Sequence, residues 1–200
     1  TLDDNIDLPS ALNIDGIRNV SGRANFSTNE ITISPIITAN SALTFNLNGI
    51  YNNIPNGTIT NNSKIEIIPV STNISFIISL ISNGIFNSGS NTTISNNSDI
   101  KIGSNTSSGI ATTNGTINSG FGSVISENTI NLDIFTKQTT TINGISNLNS
   151  NVSISNNNLN VELNVSTENA LSYGVSNTFS GVIISNNFIS VIGTSLGSSR

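Results

Sequence analysis

Six glycines set the frame of this chain. Ten residues downstream of Gly16, Gly49, Gly84, Gly115, Gly144 and Gly174 stand Phe26, Ile59, Ile94, Ile125, Ile154 and Ile184, all bulky and apolar. Each is followed by Ser or Thr: Ser27, Thr60, Ser95, Ser126, Ser155 and Ser185. Two positions further on, every unit carries asparagine, at Asn29, Asn62, Asn97, Asn128, Asn157 and Asn187. Asn makes up roughly one residue in five, so chance would place about one there. The anchors are spaced 33, 35, 31, 29 and 30 residues apart. A period of this length marks a stack of supersecondary units.

Within each unit the apolar residues alternate. Ile31 and Ile33, Ile130 and Leu132, Leu159 and Val161, and Ile189 and Val191 are two apart, as are Ile65 and Ile67, and Ile100 and Ile102. Period two places such pairs on one face of a strand. Ile or Val follows five of the six glycines, and Thr116 is the exception. β-Branched side chains favour extended backbone. Each unit therefore reads as strand, turn, strand, asparagine turn, strand and a loop of variable length. The longest loop, Pro69 to Asn83, alternates Ile74, Phe76, Ile78 and Leu80 and is expected to add a strand to the stack.

A unit of about 30 residues cannot bury its apolar face alone, whereas stacked units can. The expected fold is all-β, a single-stranded parallel β-helix (β-solenoid) of about six coils, rising roughly 30 Å at about 4.8 Å per coil. The six asparagines are expected to form a ladder. A buried amide is costly unless its donors and acceptor find partners, and a column provides them above and below. The glycines are expected at coil corners, opening a strand where the backbone bends. Residues 1–13 are read as an N-terminal leader or cap, 14–193 as the solenoid, and 194–200 as a C-terminal end continuing into further sequence.

The runs Gly49-Ile50-Tyr51-Asn52 with Thr58-Ile59-Thr60-Asn61-Asn62, and Gly84-Ile85-Phe86-Asn87 with Thr93-Ile94-Ser95-Asn96-Asn97, resemble the parallel β-helix repeats of secreted bacterial proteins. Across about residues 14 to 193 the chain is similar to the passenger regions of autotransporter adhesins and related surface filaments. That resemblance implies export and display at the bacterial cell surface. Together with the general crossover preference, it also implies a right-handed coil.

Composition narrows the chemistry. Charged residues are 8% of the chain, against roughly 25% in an average soluble domain. A net charge of −5 with no basic stripe argues against nucleic-acid binding. The most apolar stretch, Ile74 to Ile81, is eight residues long, and a spanning helix needs about 20, so no membrane insertion is expected. The absence of His and Cys removes the commonest nucleophile–base pairs and zinc sites. The acids are scattered, with no pair placed for glycoside hydrolysis. Glu66 and Lys101 are expected to pair across adjacent coils. Asp133 and Glu162 fall on neighbouring coils and are the nearest approach to a metal site, but no Asp-x-Asp-x-Asp run or glycine-rich repeat accompanies them, and they are read as solvated like-charge neighbours. Asp3, Asp4 and Asp7 read as part of an exposed leader. Phe26, Phe121, Phe179 and Phe188 read as core or corner fillers, and no Trp is present to stack on sugars.

The function expected is non-enzymatic, with no cofactor: an extracellular structural or adhesive segment presenting an extended polar face. Its partners are copies of itself, stacked end to end or laterally, or a cell-surface receptor or glycan. Alternatives are a polysaccharide-active β-helix enzyme, tested by glycan turnover, and an ice-binding solenoid, tested by thermal hysteresis.

Overall fold

The computed structural model describes residues 11–37, 43–71, 78–106, 110–136, 140–165 and 170–195. Among them every regular element is a strand, and every strand pairing is parallel. The chain is a parallel β-solenoid with three sheets, each built on one strand per repeat unit stacked in chain order, the third carrying two further short strands, Ile36–Ile37 and Val70–Ser71. The long sheet comprises Ala11–Asn19, Leu43–Asn52, Ile78–Asn87, Ile110–Asn118, Thr140–Asn147 and Ala170–Asn177. The short sheet comprises Asn25–Ser27, Thr58–Thr60, Thr93–Ser95, Val124–Ser126, Ser153–Ser155 and Ile183–Ser185. The third sheet comprises Glu30–Ile33, Lys64–Ile67, Ile100–Thr106, Thr129–Thr136, Asn158–Val165 and Phe188–Ser195. The six units make about five turns, slightly fewer than six coils, because six strands in a sheet are separated by five steps.

Register follows the repeat. Phe26 pairs with Ile59, Ile59 with Ile94, and so on through Ile184, so these residues form one inward column. The third sheet adds the column Ile31, Ile65, Ile100, Ile130, Leu159 and Ile189. These columns meet Leu47, Ile50, Ile85, Ile142 and Ile145 from the long sheet in one continuous core.

In the loop from Pro69 to Asn83, Val70–Ser71 is a two-residue strand pairing with Ile36–Ile37. Ile78 and Leu80 already belong to the long strand that contains Gly84. Ile74 and Phe76 lie outside the described residues, as do Asp3, Asp4 and Asp7. At the boundaries, Ala11 to Asn13 and Thr194 to Ser195 belong to strands of the stack.

The turns explain part of the asparagine excess. The residue before each ladder asparagine is left-handed: Thr28 (φ 59°), Asn61 (55°), Asn96 (54°), Glu127 (57°), Asn156 (57°) and Asn186 (53°). The turn between long and short strands has a second left-handed column, Gly22, Asn56, Asn91, Gly122, Asn151 and Gly181. Asn and Gly tolerate this region, whereas other side chains crowd the following carbonyl. Glu127 and Thr28 are therefore the strained members. Glu127→Asn is expected to stabilise the fold by about 1 kcal/mol, read as a higher urea midpoint at unchanged slope.

The Thr that breaks the post-glycine pattern also has a structural consequence. Thr116 lies in register between Ile85 and Ile145, fully buried, and its Oγ1 has no hydrogen-bond partner. Thr116→Val keeps the shape and removes the orphan hydroxyl. The gain expected in equilibrium unfolding is about 1–2 kcal/mol.

Candidate functional site: the ladders and the outer groove

The six asparagines of the second turn stand in one column, and their amides are continuously bonded. Asn29 Nδ2 donates to Asn62 Oδ1 (2.9 Å), Asn62 to Asn97 (2.7 Å), Asn97 to Asn128 (2.7 Å), Asn128 to Asn157 (3.0 Å) and Asn157 to Asn187 (2.9 Å). Each acceptor oxygen also takes the backbone N–H of the asparagine one coil earlier, at 2.9–3.2 Å. The second amide N–H of Asn62, Asn97, Asn128, Asn157 and Asn187 donates back to Phe26, Ile59, Ile94, Ile125 and Ile154 carbonyls. An interior amide thus has both donors and its oxygen used, which is what lets asparagine sit almost fully buried at a corner.

Two further ladders were missed by the sequence reading. Asn19, Asn52, Asn87, Asn118, Asn147 and Asn177 link coil to coil at 2.7–3.1 Å. Each also donates to a nearby backbone carbonyl of its own turn, such as that of Ile54, Gly89 or Gly120. These residues all stand three after an anchor glycine, so the count that found the first ladder would have found this one. The third ladder runs the other way: Asn143 donates to Asn114, Asn114 to Asn83, Asn83 to Asn48 and Asn48 to Asp15, at 2.7–2.9 Å. It begins on a carboxylate, which only accepts, and Tyr173 replaces asparagine in the last coil. Asn143 Oδ1 is left buried without a donor.

The third ladder accounts for the recurring Asn-Gly pair, which is not a turn. Gly16, Gly49, Gly84, Gly115, Gly144 and Gly174 lie inside the long strands and do not open them, and none has positive φ. The reason for glycine is close approach. A Cβ on Gly16, Gly49, Gly84, Gly115 or Gly174 would collide with Ile31, Ile65, Ile100, Ile130 or Ile189 of the third sheet. It would also fall 2.6–2.7 Å from the next coil's glycine carbonyl at each of the first five anchors, Gly144 included. The bend expected at the glycine is visible as a break in alternation: Leu47 and Ile50, three apart, are both core residues.

With the long sheet pressed onto the third sheet there, its outer face carries a groove of about 390 Å³. The floor is Asn48, Asn83 and Asn114 of the third ladder. One wall is Asn13, Asn46, Ile81 and Thr112, and the other is Tyr51, Phe86 and Ile117. Tyr51 and Phe86 stack on each other, 5.0 Å between centroids and 2° apart in plane, and Arg18 covers the other face of Tyr51 at 4.6 Å. Arg18 also pairs with Asp15 at 2.9 Å.

The charged sites are smaller than the groove. Asp133 and Glu162 are in register on adjacent strands, and Asn164 Nδ2 donates to Glu162 at 3.3 Å. No third His, Cys, Asp or Glu joins them among the described residues. Glu66 does meet Lys101, at 3.5 Å, but its nearer partner is Lys64 at 2.7 Å, with Glu30 4.0 Å from that lysine. The Lys64 hydrogen bond chiefly holds the Glu66 carboxyl below its ordinary value, and the same bond chiefly raises Lys64. The contribution of Glu66 is complete above the usual carboxylate range and disappears as pH falls through its lowered pKa. That of Lys64 disappears as pH rises through its raised one. Thermal melts between about pH 7 and pH 3 are expected to show a smaller acid loss in Glu66→Gln than in the parent. Of the phenylalanines, Phe26 is in the core, while Phe121, Phe179 and Phe188 are largely exposed.

No family model, curated protein or solved structure matches the chain.

Proposed function

We propose that this chain is a non-enzymatic structural and adhesive solenoid segment, displayed outside a bacterial cell, that binds a surface receptor or glycan through its long face. The observation that carries the reading is the groove over the long sheet, whose floor is a row of amides at about the 4.8 Å coil repeat. Each ladder amide uses one N–H along the stack. The other N–H of Asn48, Asn83 and Asn114 has no partner among the described residues, and these residues line the groove. Asn48, Asn83 and Asn114 thus supply a periodic line of donors beside an apolar wall, a surface suited to an extended, acceptor-rich partner. The face comes from backbone stacking and is rigid before any partner arrives, which limits the ordering cost of binding.

Thr112→Arg tests this reading, because it fills the groove from a half-exposed wall position without touching a ladder. Beads coated with the variant should lose attachment to target cells or immobilised glycans while melting like the parent. Equal attachment by parent and variant would remove the groove from the function.

A further inference from the structure

The floor of the groove has hydrogen-bonding capacity of one kind left. Asn48, Asn83 and Asn114 are only 6, 4 and 2% exposed. The oxygen of each already accepts from the amide one coil on, that of Asn83, Asn114 or Asn143. One N–H of each has no partner among the described residues, so the unpartnered groups on the floor are donors. A buried donor without a partner costs free energy that a bound acceptor recovers. No charged side chain is among the lining residues. The occupant is therefore neutral and presents acceptors. A sugar chain or a β-strand would bring donors of its own against this floor, whereas proline has a carbonyl and no N–H.

Spacing narrows the backbone of that occupant. Asn48 and Asn83 are one coil apart, about 4.8 Å, and Asn48 and Asn114 two coils, about 9.6 Å. A β-strand laid along the stack turns a carbonyl to the floor every second residue, about 6.8 Å, and falls out of step within three amides. Polyproline II has three residues per turn at about 3.1 Å each, so equivalent carbonyls recur about every 9.3 Å. That matches two coil steps. Its carbonyls are also free, because the conformation has no internal hydrogen bonds. Tyr51 and Ile117 stand two coils apart on the apolar wall, with Phe86 between them. Every third ring of such a chain meets one of them, and aromatic-lined grooves are where chains of this kind dock.

We infer that the groove takes a neutral proline-rich segment in the polyproline II conformation, lying along the stack. Carbonyls three residues apart accept from Asn48 and Asn114, and the pyrrolidine rings lie against Tyr51, Phe86 and Ile117. This partner presupposes the groove as the binding face, as proposed above, and narrows the receptor to a chain with a proline-rich segment. Polyproline II is extended before it binds and the solenoid face is rigid, so little ordering opposes the contact.

Fluorescence anisotropy of the whole chain with a labelled oligoproline of about nine residues, three turns of the helix, tests this. A flexible Gly-Ser peptide of equal length and a labelled neutral oligosaccharide are the comparisons. The oligoproline is expected to bind at least about 10-fold more tightly than either. Thr112→Arg, which fills the groove, should weaken it about 10-fold or more, and Ile117→Thr, which keeps the branched shape and removes apolar wall, about 5-fold. Oligoproline binding no tighter than that of the Gly-Ser peptide, or equal in parent and Thr112→Arg, would overturn the inference. So would an oligosaccharide that binds the parent more tightly than oligoproline does. The adhesion reading fails separately. Attachment lost in Thr112→Arg without oligoproline binding removes this partner and leaves the groove its role. Oligoproline bound by the parent and lost in Thr112→Arg, with attachment unchanged, does the reverse.

Discussion

Asn97→Ala is expected to lower unfolding free energy by about 4 kcal/mol. Asn97 sits mid-ladder, and its side chain makes four hydrogen bonds: Oδ1 accepts from Asn62 N–H and Asn62 Nδ2, while Nδ2 donates to Ile59 O and Asn128 Oδ1. Truncation leaves all four partners short of a bond in a fully buried corner. An orphaned buried polar group costs about 1–3 kcal/mol, and partial relaxation or an entering water recovers some of the sum. The expected loss is a large share of a domain's typical stability of about 5–15 kcal/mol. Asn97→Asp should be worse at neutral pH, because a carboxylate has no donor for Ile59 O or Asn128 Oδ1 and carries a buried charge. Urea denaturation of the two variants checks both magnitude and order. Equal stability of Asn97→Ala and the parent would mean that the ladder is incidental to folding.

Gly84→Ala is expected to cost on the order of 3 kcal/mol or more for a single methyl group. Its Cβ would collide with Ile100 and lie 2.6 Å from the Gly115 carbonyl oxygen. The isoleucine can change rotamer only within a filled core, and the carbonyl belongs to the next strand of the long sheet, so relief requires the coil spacing itself to open. Gly103→Ala is the control. There the nearest atom is 3.7 Å away, so the change should be neutral or slightly stabilising through the unfolded chain. A comparable loss at both positions would point to backbone entropy, and away from packing, as the reason for glycine.

These two positions also show how legibility in the sequence was divided. Asn97 was readable because a ladder demands the same residue at the same place in every unit, and six identical residues leave a periodic trace. Asn87 and its column left an equally complete trace, three residues after each glycine, and needed only the same count. The Asn83 column was harder: Asp15 and Tyr173 interrupt it, and the adjoining glycine invites a turn reading. Gly84 was readable as an anchor, but its cause was not. The side chain that forbids a Cβ there, Ile100, belongs to another sheet.

The sequence by itself determined the repeat, the alternation of inward residues and therefore a stack of parallel coils, since those depend on spacing along one chain. Only the tertiary structure decided which way each ladder donates, which turn residues are left-handed and where the long face is hollowed. Each of these depends on atoms that meet across neighbouring coils or between sheets. Partners such as Asn62 and Asn97 are 35 residues apart, and the direction of an amide is set by its neighbour one coil away, not by its own place in the chain.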